Sequence, residues 1–104
     1  MRPLLLAVSL LAACNATPSN PDVARIAALT PDNANGTTVY ADNCAVCHGA
    51  TGGGGTGPKL AGSAYALDTV IGTVLTGKES MPAFSGTLTD QEIADVAAYV
   101  TEDL

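Results

Sequence analysis

Large aromatic side chains are scarce in this chain of 104 residues, which has no Trp, one Phe and three Tyr. A chain this short buries only about 60–70% of its unfolded surface and is marginal without a staple such as a metal, a cofactor or a disulfide. With so few rings to anchor a core, something other than side chains is expected to fill the centre. Cations are scarce too, 4 Lys+Arg against 10 Asp+Glu. Nucleic acid demands a basic surface and is excluded as a partner. Simple electrostatic adhesion to anionic headgroups is excluded with it, whereas a basic patch on a protein partner stays open. Metal-ligating side chains are few: one His, three Cys and two Met. Yet "NCAVCHG" (43–49) holds two of the cysteines and the histidine within five consecutive positions.

The chain opens with one cation, Arg2, followed by an apolar run from Leu4 to Ala13 that only Ser9 interrupts. The run is too short to span a bilayer, which takes about 20 apolar residues, and it has the length of a signal-peptide core. Its end, Leu11-Ala12-Ala13-Cys14, resembles the bacterial lipobox. That resemblance implies a signal peptide over 1–13 and a mature chain beginning at a diacylglyceryl-modified Cys14. Loss of Arg2 then takes the side-chain charge from −6 to −7. Two or three acyl chains give stable anchoring where a single one does not. The alternative is an ordinary signal peptide with a chance cysteine, or a buried helix.

"NATPSNPD" (15–22) is rich in Pro, Asn, Ser and Thr and reads as a flexible tether, so residues 14–31 are assigned to a tether and 32–104 to the folded domain. "VARIAAL" has the makings of a short helical piece. Three main helices are expected. The first is capped at Asp32 or Asn33 and runs to about Cys44. The second covers about Ser63 to Thr76, with Leu67, Val70, Ile71, Val74 and Leu75 on one apolar stripe and Gly77 as its stop. The third runs from Asp90 to about Thr101, with Thr89 and Glu92 as a capping box and Leu88 and Ile93 as the flanking apolar pair. Little reads as strand. Between the first two helices, "GATGGGGTGPKLAG" is long and Gly-rich, and a loop of this size in a small domain should have a job.

Cys44-x-x-Cys47-His48 has the spacing for covalent attachment of c-type haem. Two thiols one helical turn apart can each add across a haem vinyl group, and the next side chain reaches the iron. Competing readings lack partners. A zinc site needs about four ligands, and besides Cys44, Cys47 and His48 the chain has no Cys or His other than Cys14. A thioredoxin-type dithiol expects a βαβ setting, which the pattern does not contain. The glycines at 52–55 are not a phosphate loop, because no Gly-Lys-Ser/Thr follows; they are expected to let backbone approach the haem edge. The carboxylates show no acid–base pairing and default to a solvated face.

With these motifs the sequence resembles the class I c-type cytochromes in their small bacterial monohaem, lipoprotein form, over residues 33 to 101. Cys44, Cys47 and His48 match the haem-binding motif. Gly36 and Tyr40 match the small and aromatic positions where the first helix packs on the last, and Tyr99 matches an aromatic position there. "GPKL" (57–60) matches the loop whose proline carbonyl, here that of Pro58, accepts a hydrogen bond from the proximal histidine. "SMPAF" (80–84) matches the distal segment, in which Met81 is the sixth iron ligand.

The resemblance implies an all-α cytochrome c fold wrapped around one covalent haem c, which supplies the missing core and is ringed by Leu60, Val70, Ile71, Leu75, Phe84 and Val96. Met/His ligation favours Fe(II) and raises the potential. Lys78, protonated at neutral pH, is a poor competitor for the iron. With both axial positions filled there is no small-molecule substrate, and the expected function is one-electron transfer between exported protein partners at the periplasmic side of a bacterial membrane. Two alternatives stand: an electron-entry haem subunit of a dehydrogenase or reductase complex, and a gas sensor in which Met81 leaves the iron.

Overall fold

The computed structural model describes residues 20–104. The expected signal peptide over 1–13 and the lipobox cysteine Cys14 lie outside these residues. Five α-helices follow in order: α1 Pro21–Ala27, α2 Asn33–Asn43, α3 Ala45–His48, α4 Leu67–Thr76 and α5 Asp90–Ala98, the last continuing as a π-helical turn over Tyr99–Asp103. Among the described residues there is no strand, only one antiparallel bridge between Lys78 and Met81. The fold is the expected all-α one.

The helix boundaries follow local chemistry. Asp32 accepts from the Asn35 N–H at 3.1 Å and caps α2. Thr89 and Glu92 form the reciprocal capping box of α5, through bonds of 3.1 and 2.8 Å, which satisfies two otherwise orphaned donors. Gly77 ends α4 with φ 75°. The start of α4 differs from expectation, because residues 63–66 are not helical and the helix begins at Leu67. Ala64 there has φ 58°, a left-handed conformation that no α-helix accommodates.

The tether assigned to 14–31 is corrected over its described part. Asn20 caps α1, its Oδ1 accepting from the Asp22 N–H at 2.9 Å, and Pro21 sits at the first helical position, where its missing N–H costs nothing. Ile26 is 0% exposed and joins Ile71, Val74, Leu75, Ile93, Ala94 and Ala97 in one apolar cluster. Arg25 pairs with Asp22 at 2.5 Å and with Asp90 at the start of α5. Helix α1 therefore packs as part of the folded domain. A seven-residue helix is not stable alone, and its one-sided apolar face gains its stability from packing.

The other main contact is the crossing of α2 and α5. A Cβ added to Gly36 would lie 2.2 Å from the Asp95 carbonyl oxygen and 2.9 Å from the Tyr99 Cβ, so only glycine permits this approach. The rings of Tyr40 and Tyr99 sit beside it, tilted, with centroids 5.3 Å apart. Around them a second apolar cluster forms from Val39, Tyr40, Cys44, Val96 and Val100.

Candidate haem site

Cys44 terminates α2 and opens α3, so the Cys-x-x-Cys-His segment is a single short helical turn, with the His48 N–H donating to the Cys44 carbonyl at 2.9 Å. No disulfide joins the two cysteines. Burial, then the neighbouring Cys47, pushes the Cys44 thiol up to about 11. Attacking thiols of redox dithiols are shifted the other way, which argues against a thioredoxin-type exchange centre. Among the described residues no group of three or more His, Cys, Asp or Glu is placed to hold a metal ion, so a zinc site lacks its donors.

The Gly-rich loop folds back on this turn. The Gly57 N–H donates to the Cys47 carbonyl at 2.8 Å and the Gly54 N–H to the His48 carbonyl at 2.7 Å. This brings the Pro58 carbonyl within 2.7 Å of His48 Nδ1. A carbonyl can only accept, so Nδ1 carries the proton and the Nε2 lone pair of the neutral ring is left for a ligand. A Cβ on Gly57 would meet His48 Cε1 at 3.0 Å; the loop has no room for a side chain against the imidazole. The Tyr40 hydroxyl ties the same loop to α2 by donating to the Gly49 carbonyl at 2.7 Å. The glycines at 52–55, expected to let backbone approach the haem edge, also serve the closure of the loop. Gly52 packs on Leu104 and Ala61, Gly54 on Lys59 and Gly55 on the Cys47 carbonyl, so these residues let the loop close over its own turn.

Leu60 packs against the second cluster, to which Cys44 belongs. Met81 is half-buried against the first cluster with Phe84 and Val70. The Met81 segment is held by a tight turn, in which Lys78 and Met81 exchange N–H···O bonds of 3.1 and 2.9 Å. Glu79 within that turn has φ 56°, a conformation that costs a non-glycine residue about 1–2 kcal/mol. Val70 and Leu88 touch both clusters. The apolar core is thus divided into two clusters, bridged by half-buried Val70 and Leu88, with Leu60 against one and Met81 and Phe84 against the other. Two thiols on one turn, an imidazole of fixed tautomer, a thioether and a divided apolar core together fit a haem.

The family described as "Cytochrome C oxidase, cbb3-type, subunit III" matches residues 31–100. Cytochrome c6 of Thermosynechococcus vestitus is 46% identical over 85 residues, covering 73% of this chain and 74% of its relative. The chain belongs to the cytochrome c6-like class I c-type cytochromes. It is an electron-transfer cytochrome with one covalent haem c, and Cys44, Cys47 and His48 fit the CxxCH motif of the family. Cytochrome c6 of Synechococcus elongatus is 45% identical over 68% of this cytochrome and 90% of the relative. The solved cytochrome c6 of the diatom Phaeodactylum tricornutum superposes with a TM-score of 0.58 at 38% identity, over 67% of this chain and 91% of the diatom protein.

One buried group of the cytochrome escaped the sequence reading, which left every carboxylate on a solvated face. Asp95 is 2% exposed. Its Oδ1 accepts from the Asp32 N–H at 2.8 Å and from Gln91 Nε2 at 2.8 Å, and its Oδ2 from Asn35 Nδ2 at 2.9 Å. Burial alone would raise its pKa, but these three donors outweigh burial and hold the carboxyl below its usual range. The signal in the sequence is a lone Asp inside the small and apolar run Ile93–Ala98, all of it buried.

Proposed function

We propose that this cytochrome is a lipid-anchored carrier that passes single electrons between exported protein partners. Cys44 and Cys47 would form the thioether links, His48 Nε2 and Met81 Sδ would ligate the iron, and Leu60 would pack at the haem. Bound haem supplies a one-electron Fe(III)/Fe(II) couple. The chain's own work would be to orient His48 through Pro58, to present a soft sulfur that favours Fe(II), and to hold the metal with His48 and Met81 so that no substrate reaches it. On this reading the protein is not an enzyme. The observation that carries it is the 2.7 Å bond from His48 Nδ1–H to the Pro58 carbonyl, which leaves Nε2 as the ligand. Export and the lipid at Cys14 are supported by the leader and by Leu11–Cys14. Among the described residues no helix is long and apolar enough to cross a membrane.

The test is Met81→Ala in the holoprotein. Loss of the sulfur-to-iron charge-transfer band and a lower potential are expected, with CO binding to the reduced form; an unchanged spectrum removes Met81 from the iron. For the anchor, acyl chains on the mature N-terminus by mass spectrometry are expected. An N-terminus lacking them removes the anchor.

With ten acidic residues against three basic ones once Arg2 is gone, a carrier of this charge suits a partner with a basic patch, or one beside the same membrane. A transfer rate that falls with added salt marks the first and a rate indifferent to salt the second. A second reading, an electron-entry subunit of a larger redox complex, is favoured by the matched family being described by an oxidase subunit. Co-purification with a catalytic subunit distinguishes it.

A further inference from the structure

The described chain enters the domain beside the Met81 turn. Asn20, Val23, Thr73, Thr76 and Lys78 line one shallow groove between α1 and α4, and the Lys78 backbone is paired with that of Met81. The entry point is rigid, since Asn20 caps α1 and α1 is locked to the core by Ile26. Only six residue steps separate Cys14 from Asn20. Six steps reach at most about 20 Å when fully extended. Resting on the lipid anchor proposed above, we infer that the Lys78–Met81 end of the domain faces the phospholipid headgroup surface, and that Lys59 faces away from it.

Lys59 follows Pro58 in the loop that closes over the Cys-x-x-Cys-His turn, where Leu60 packs on the second cluster; Met81 and Val23 pack on the first. The two lysines therefore lie on segments that pack on different clusters. The leash then limits encounters to partners at the membrane surface, where a short tether raises effective concentration.

The two lysines of the chain, both exposed, provide the test. Acylated holoprotein is reconstituted on the outside of phosphatidylcholine vesicles and treated with a membrane-impermeant amine-acetylating reagent, and Lys59 and Lys78 are quantified by peptide mass spectrometry. The control is lipid-free Cys14→Ser holoprotein exported on an ordinary signal peptide and mixed with the same vesicles. The Lys78-to-Lys59 labelling ratio is expected to fall several-fold for the acylated protein and to stay unchanged in the control. Equal labelling in both samples, or selective protection of Lys59, overturns the orientation while leaving the anchor intact. A mature protein whose mass shows no acyl chains overturns the anchor and the orientation together.

Discussion

Gly36 and the Asp95 carbonyl approach so closely that an added Cβ would lie 2.2 Å from the oxygen. The obstacle is backbone, which no rotamer change can move aside. In an exposed helix Gly→Ala gains about 1 kcal/mol of propensity. Here Gly36→Ala must push α2 from α5, and overpacking of this kind costs about 1–3 kcal/mol. Thermal unfolding of the holoprotein should show a lower midpoint. A midpoint equal to or above that of the parent would mean that the helices do not cross where the structure has them.

Asp95 makes the same crossing sensitive to acid. Its carboxyl is held below the usual range in the folded state. A lowered folded pKa contributes stability that is present above the unfolded value of about 3.9 and is lost as pH falls through the folded one. Denaturant unfolding between pH 7 and pH 3 should show a loss of stability that Asp95→Asn flattens, because the amide does not titrate. Asp95→Leu should cost about 1–3 kcal/mol at pH 7, having left buried donors unmatched. Identical pH profiles for parent and Asn variant would remove Asp95 as the source.

Gly57→Val addresses the loop against His48. A Cβ there meets the imidazole at 3.0 Å, and a branched side chain has to displace the loop that carries Pro58. The hydrogen bond from Nδ1–H weakens, the ring becomes a poorer donor to iron, and Fe(III) is less stabilised. The reduction potential should rise while haem stays covalently bound, as read by redox titration and by the mass of the intact holoprotein. An unaltered potential would show that the loop yields without disturbing the ligand.

Ile26→Ala asks whether α1 belongs to the domain. The side chain is 0% exposed within the first cluster, and truncating a buried Ile to Ala typically costs about 2–5 kcal/mol. In a tether the same change would cost almost nothing. Chemical denaturation of the holoprotein decides between the two.

Much of this protein was legible without coordinates, because the decisive chemistry is local. The spacing of Cys44, Cys47 and His48 is set by one helical turn, and the capping box of Thr89 and Glu92 by three residues. Three helices and little strand follow from caps and apolar periodicity, and the resemblance to c-type cytochromes implied the all-α class. What required the tertiary structure depends on surfaces that meet across long sequence separations. Residues 21–27 fall in the assigned tether, where "VARIAAL" offered only a short helical piece, and Ile26 packing with Ile71 and Ile93 makes them part of the domain. Asp95 reads as one more surface carboxylate until Asp32, Asn35 and Gln91 converge on it. The glycines of the long loop announce backbone freedom but not its direction; closure onto Cys47 and His48 was decided by hydrogen bonds between segments ten residues apart. Short-range hydrogen bonding and periodicity are written in the order of the residues, whereas burial is a property of what a segment meets once the chain has closed.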